Sequence, residues 1–319
     1  MFFKRKFASL LVLCICLQAK AQDFRHNFHQ FNAFVVNPAM AAMQRQASLG
    51  YHSRKQRLDA GLSHRTLMLQ SHYPVIRATG EHSGTIGISL YQDRQNYFGE
   101  VNAFDIVAAT NIELHKSKKI KMALGLQGGS RTIQDELKGT DYFPAWGAGS
   151  MFYQDTKQND YQKRWFLGIA ASNFLGNERY LENYHFVGKL RWILSGGILA
   201  WTNGKYSLVP NFRSILHNQT NLSNYGLSLR RNFSENNGTL LRYGSWGLSV
   251  WYARQQALSV ALDIDTPAIT MGFAYSFAYD KHLFKYRNAN EFVITLKKSL
   301  HKKKNLDDRP IINEEERPL

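Results

Sequence analysis

The side chains that carry most enzyme chemistry are present, but they do not gather into a constellation. Eleven histidines are scattered from His26 to His301. His26 and His29 have a spacing that a metal ion can bridge, yet they stand as an isolated pair rather than a ligand set. Ser63 and His64 are adjacent, and neighbours on a strand point to opposite faces, which removes them as nucleophile and base. Asp263 and Asp265 do share a face, where two carboxylates can raise one another's proton affinity or take up a cation. They are read here as two carboxylates facing water. Cys14 and Cys16 both fall in the first 22 residues, so the rest of the chain has no thiol chemistry. No G-x-S-x-G, H-E-x-x-H, P-loop or strand-following G-x-G-x-x-G pattern occurs. The expectation is no catalytic residue, no cofactor and no metal: the chain is not an enzyme.

The elements that must position these side chains begin with a targeting segment over 1–21. Lys4, Arg5 and Lys6 precede the apolar run Phe7–Leu17, which is too short to cross a bilayer, and Ala19-Lys20-Ala21 presents small residues to a peptidase. Cleavage after Ala21 leaves Gln22 first. An N-terminal segment follows over 22–45, then a long middle over 46–300, then a polar tail over 301–319 with Lys302–Lys304, Asp307, Asp308 and Glu314–Glu316. The formal net charge is +16. Behind an export signal this excess points away from nucleic acid and toward anionic lipid or an acidic protein partner.

The middle contains no apolar run near eighteen residues, so it has no helical span. It does alternate. Ile269, Met271, Phe273, Tyr275, Phe277 and Tyr279 form one row, and Thr270, Gly272, Ala274, Ser276 and Ala278 form the other. Leu258, Val260, Leu262 and Ile264 oppose Ser259, Ala261, Asp263 and Asp265; Ile86, Ile88 and Leu90 oppose Gly87, Ser89 and Tyr91; Leu124 and Leu126 oppose Ala123 and Gly125. A soluble sandwich also alternates, but its water-facing row favours Lys, Glu and Thr. Here the second row is small or weakly polar, which suits a crowded lumen, while the first row suits lipid. The chain has 20 Phe, 16 Tyr and 6 Trp, and rings such as Tyr91, Trp251, Tyr252 and Tyr279 are expected at the headgroup level.

Turn signals divide the strands. Asn203-Gly204 is a hairpin signal, Asn236-Asn237-Gly238 and Lys116–Lys119 separate further runs, and Asn288–Asn290 precedes the last one. The stretches 131–144, 155–163 and 174–186 read as loops on the outer side. Fourteen candidate strands result, the first at 46–54 and the last at 291–300. The fold expected is all-β: one outer-membrane barrel of about fourteen antiparallel strands. A pair of soluble sandwiches is the structural alternative.

Residues 28–42 contain Gln30, a run of Phe31, Phe34, Val35 and Val36, and then Asn37-Pro38-Ala39 with Ala41. Physically, Asn37-Pro38 is a turn or an extended lead-in, since proline restricts the residue before it. The apolar run either plugs the barrel or lines its wall. This opening resembles that of the PorP/SprF family of Bacteroidetes outer-membrane proteins, with Gln30, Asn37, Pro38 and Ala39 on the family motif. Ala42 stands where the family usually has glycine, and Arg57 where a tryptophan usually follows Arg54-Lys55-Gln56. Leu167-Gly168-Ile169 with Ser172-Asn173-Phe174 is similar to the family's central strand, and Asn290–Leu296 to its closing strand. The resemblance implies a part in the type IX secretion system, in the outer membrane: binding a secreted cargo protein with a C-terminal sorting domain, such as a gliding-motility adhesin, and other components of the machine. Outer-membrane lipid would surround it, and neither nucleic acid nor a small-molecule substrate is expected. The competing reading is a passive porin or a channel for hydrophobic solutes.

Overall fold

In the computed structural model the described residues are 36–57, 63–78, 81–95, 99–135, 139–155, 163–172, 190–217, 220–234, 243–253, 257–278 and 288–299. The export segment, Gln30 and the polar tail lie outside them. The alternating rows become strands in chain order: β1 Ala47–Arg57, β2 Ser63–Ile76, β3 His82–Gln95, β4 Gly99–His115, β5 Ile120–Asp135, β6 Gly139–Asp155, β7 Lys163–Ser172, β8 Arg191–Ile198, β9 Trp201–Thr202, β10 Tyr206–His217, β11 Thr220–Ser234, β12 Tyr243–Ala253, β13 Ala257–Asp265, β14 Ile269–Ala278 and β15 Ala289–Lys298.

Each strand pairs antiparallel with its chain neighbours, and β15 returns to pair with β1 from Ala47↔Lys298 to Gln56↔Ala289. The sheet therefore has no free edge and satisfies its own backbone, as a span through lipid requires. β8 and β9 are two parts of one wall strand. At the break, the Leu199 N–H donates to Arg164 O and the Ala200 N–H donates to Leu208 O, so the interruption faces one neighbour and then the other. The wall is thus a closed fourteen-stranded barrel, in agreement with the sequence count, and the paired sandwiches are excluded. An even number puts both ends of the wall on one rim, where β1 starts and β15 finishes. We call it the terminal rim and its opposite the far rim.

Lipid-facing and lumen-facing rows separate as the alternation requires. Ile86, Ile88, Leu90, Leu126, Met271 and Phe273 are exposed outward, Leu126 to 66%, while their neighbours Ser89, Thr270 and Ala274 are buried inside. An arginine in place of Ile88, midway along β3, is expected to cost about 2–4 kcal/mol, the usual penalty for a cation on the lipid face near the bilayer centre. Urea titration of the barrel in lipid vesicles measures this, and a loss under about 1 kcal/mol would remove the outward assignment of that row.

Three sequence expectations change. Residues 131–135 and 139–144 are strand and not loop: β5 continues to Asp135 and β6 starts at Gly139, with Ile133 paired to Asp141 and Thr132 to Tyr142. These residues look polar because the hairpin continues the wall at the far rim, where one face no longer needs to be apolar. The expected loops do not share one side either, since β6 ends at Asp155 and β7 starts at Lys163 on the terminal rim, while β7 ends at Ser172 and β8 starts at Arg191 on the far rim. Finally, Tyr91 and Trp251 belong to lumen rows, in register with Gly87, Ser89 and with Ser249, and Trp251 is 5% exposed. Only Tyr252 of that group faces outward among the described residues; Tyr279 lies outside them.

The lumen has two sides. Val107, Ala123, Met151, Ala170, Ile193, Ile215 and Leu222 make an apolar side on β4–β8, β10 and β11. On β13–β15 and β1–β3 the interior is polar and internally bonded. Ser259 donates to Ser276 over 2.8 Å, Thr66 donates to Asp93 over 2.8 Å, Ser48 meets His72 at 2.8 Å, and His52 meets Glu291 at 3.0 Å across the β1–β15 seam.

Candidate functional site: the strap in the barrel mouth

The family-motif residues that the structure describes come together inside the barrel. Asn37 is extended (φ −159°, ψ 117°), the conformation that a following proline enforces, and Pro38–Met43 forms a single 3₁₀ stretch. Asn37 caps that stretch: its Oδ1 accepts from the Ala39 N–H at 2.9 Å. Its Nδ2 donates to Ser150 O at 3.1 Å and to Ile169 O at 3.3 Å, two carbonyls on the facing strands β6 and β7. One side chain therefore ends the lead-in, starts the turn and ties both to the wall. Asn37, Ala39, Ala41 and Ala42 have no exposure. The turn reading of Asn37-Pro38 describes this strap; of the apolar run read as a plug or a wall lining, Phe31, Phe34 and Val35 lie outside the described residues.

The seat under the strap is a rung of small side chains. Ala109, Gly125, Gly149 and Ala170 are consecutive cross-strand partners on β4, β5, β6 and β7. A Cβ on Gly125 would collide with the backbone of Pro38 and Ala39, and one on Gly149 with Oδ1 of Asn37. At Gly125 no other residue type permits this approach without moving main chain, and at Gly149 one would displace the Asn37 side chain. The sequence shows the small-residue row, but not that two of its glycines lie side by side beneath the motif. That follows only from the register.

The strap is then fastened along its length toward the terminal rim. Asn111 Nδ2 donates to Ala42 O at 2.6 Å, and its Oδ1 accepts from the Tyr153 hydroxyl at 2.8 Å. Thr85 Oγ1 donates to Gln44 O at 3.4 Å, and Gln46 Nε2 donates to Pro267 O at 3.2 Å, on the turn between β13 and β14. Arg45 Nη2 donates to Asp155 Oδ2 at 3.0 Å. Asp155, with its side chain 1% exposed, also receives Lys121 at 3.1 Å and Lys163. A buried carboxylate holding three cations leaves local positive charge at the mouth. Asn111, Tyr153 and Asp155 carry no sequence signal of this role, because their partners come from strands distant in the chain.

The other candidates resolve differently. His64 Nε2 lies 2.5 Å from Asp93 Oδ1, and not beside Ser63. Asp263 and Asp265 do not face open water: Asp263 accepts from Arg230 at 2.9 Å with its side chain fully buried, and Asp265 accepts from Thr270 at 2.5 Å and from Lys297. The inward row looks water-filled when one strand is read alone, but the cations come from strands on either side. His26 and His29 lie outside the described residues. Within those residues, no group of three His, Cys, Asp or Glu is placed to hold a metal. What the mouth can do chemically is hold a peptide segment against a wall and close an aperture.

A closed antiparallel ring with a lipid-facing band and an interior occupied by its own chain defines an outer-membrane β-barrel protein. The profile of "Type IX secretion system membrane protein PorP/SprF" matches residues 18–297, so the chain belongs to the PorP/SprF family. It is a membrane component of the type IX secretion system, resides in the outer membrane, and works with other components of that system. No curated protein matches it. Solved structures similar to it include the CymD monoaromatic hydrocarbon channel (TM-score 0.49, 10% identity, 85% of this chain and 93% of that one). The P. putida toluene transporter TodX gives a TM-score of 0.47 at 8% identity, over 85% of this chain and 94% of that one. Acinetobacter baumannii Omp33 gives 0.41 at 8% identity, over 80% and 99%.

Proposed function

We propose that this barrel binds a secreted protein carrying a C-terminal sorting domain, a gliding adhesin being one such cargo, and helps to export it or to hold it at the cell surface. It acts by binding, not by catalysis and not by passing a solute. The observation that carries this reading is the strap. A porin keeps a polar lumen open, whereas here Asn37–Gln46 crosses the terminal mouth and is fastened to β3–β7 and to the turn at Pro267. The longest connection between described strands, from Ser172 to Arg191, lies on the far rim; extracellular loops are the longer ones in such barrels, so this rim is assigned to the cell surface and the terminal rim to the periplasm. Lipid contacts the apolar band between them.

The test is deletion of the gene followed by comparison of secreted and surface protein with the parent cell. Loss of one or a few cargo proteins from both fractions, restored by the intact gene, is expected. Unchanged export and display would overturn the proposal. Sustained single-channel conductance of the intact barrel in a planar bilayer would favour the channel instead.

A further inference from the structure

The outward face of β1–β3 changes character at the far rim. Lys55, Arg65 and Arg94 are exposed there, and they are direct cross-strand partners, Lys55 with Arg65 and Arg65 with Arg94. Side chains opposed in this way start about 5 Å apart, and like charges so placed repel one another. The wall supplies no ion pair to offset them: among the described residues none of the three belongs to one. Glu100, the cross-strand partner of Arg94, accepts instead from Gln92 Nε2 at 2.9 Å and from Asn102 Nδ2 at 2.7 Å. Arg57 adds a further exposed cation on the same face of β1. Toward the terminal rim the same strands turn Tyr73, Val75 and Ile86 outward, so the cation row belongs to one rim.

The row also sits at a particular height. One outward position nearer the membrane centre, Phe292, Ser53 and Leu67 are cross-strand partners, and one further in are Tyr51, Leu69 and Leu90, all three exposed. The cations therefore lie roughly 7 Å along the strands beyond the last apolar side chains. That is the level at which Lys and Arg lay their stems on apolar surface and carry their charge to lipid headgroups. Arginine forks match phosphate oxygens two at a time. We infer that Lys55, Arg65 and Arg94 form a headgroup site for the phosphates of an outer-leaflet glycolipid, lipopolysaccharide, with its acyl chains against Tyr51, Leu69 and Leu90. The bound phosphate supplies the negative charge that the wall leaves out. The source of the phosphate rests on the assignment of the far rim to the cell surface, and the site holds whatever cargo the barrel serves.

Titration of the folded barrel in detergent with phosphorylated lipid A, and with the same lipid stripped of its phosphates, tests this. The parent is expected to prefer the phosphorylated form. Lys55→Gln, Arg65→Gln and Arg94→Gln together are expected to weaken that binding about tenfold or more. Arg77→Gln, Lys116→Gln and Lys118→Gln together remove equal charge from exposed positions at the terminal rim and are expected to leave it unchanged. Heat-dependent gel mobility verifies that each variant has folded. In zwitterionic phospholipid vesicles the far-rim triple variant is expected to be no less stable than the parent, because only repulsion has been removed, and added lipid A is expected to stabilise the parent alone. Equal affinity of the parent and the far-rim variant for lipid A overturns the inference. So does indifference of the parent to the phosphates, which would leave an acidic protein surface as the occupant of the row. The rim assignment is read separately. Tyr142→Cys, 77% exposed near the start of β6, is expected to react with a membrane-impermeant maleimide in intact cells, with the parent as blank. No reaction would overturn that assignment and lipopolysaccharide as the source, while the binding of phosphate by the row would stand on the titration.

Discussion

Gly125→Val is expected to drive the Asn37–Gln46 strap out of the barrel mouth while leaving the wall closed. The added side chain would meet the main chain of Pro38 and Ala39 and not the end of a flexible side chain, so the strain cannot be relieved by a rotamer change. Overpacking a tight site costs about 1–3 kcal/mol. The Asn37 contacts to Ser150 and Ile169 hold the seated strap equally in parent and variant, so the strain alone sets the change. About 1–3 kcal/mol of it shifts the seated-to-displaced ratio by roughly five- to a hundredfold toward displacement. Gly149→Val is expected to act in the same way through Asn37. Protease cleavage within the strap and the conductance of the purified barrel both report the change. Leu126→Val, one residue along β5 on the lipid face, is the control expected to leave both unchanged. A strap that stays protected in Gly125→Val would show that the rung of small residues does not decide its position.

Removing Arg230 is expected to weaken the barrel itself. Asp263 has a fully buried side chain and takes its charge-assisted hydrogen bond from Arg230 at 2.9 Å. In Arg230→Met the carboxylate stays behind in the low-dielectric lumen, and breaking a buried pair from one side costs about 3–5 kcal/mol. Replacing both partners is a different change. Arg230→Met with Asp263→Leu leaves no orphaned charge and is expected to recover most of the loss. Chemical unfolding of the parent and the two variants in lipid vesicles separates the cases. If the single and double variants were equally weak, packing would be what Arg230 contributes, and not charge.

How much of this was legible in the sequence depends on what each residue faces. Lipid is a uniform surrounding, so every outward position answers to the same demand. Ile86-Ile88-Leu90 and Met271-Phe273 can therefore be read from their own strand, and the fourteen strands follow. Beyond the lipid band that demand ends, and Thr132 and Tyr142 continue the ladder with no apolar row to announce it. The lumen is not uniform. Asp263 is answered by Arg230 two strands away, Asp155 by Arg45 from the strap, and Tyr91 and Trp251 are large rings pointing inward where small residues were expected. The Asn-Pro-Ala motif can be seen in its own short stretch of sequence. Its socket required knowing that Gly125 and Gly149 face each other, a fact of register that no single stretch contains.

The seam between β15 and β1 makes the order of assembly matter. Its ten residue pairs join positions more than two hundred residues apart, so the ring closes only when the final strand has been made and delivered. Contacts of such long range form late, because the loop they close must first be ordered. The strap is joined directly to the first strand of that seam and is fastened on the inside of β3–β7. Once the seam has zipped, every wall strand is bonded on both sides, and no gap remains through which the N-terminal segment can be threaded sideways. Only two routes then lead to the seated state: the Asn37–Gln46 strap is laid across the open sheet before the last hairpin arrives, or it enters along the barrel axis through the terminal mouth that it comes to close.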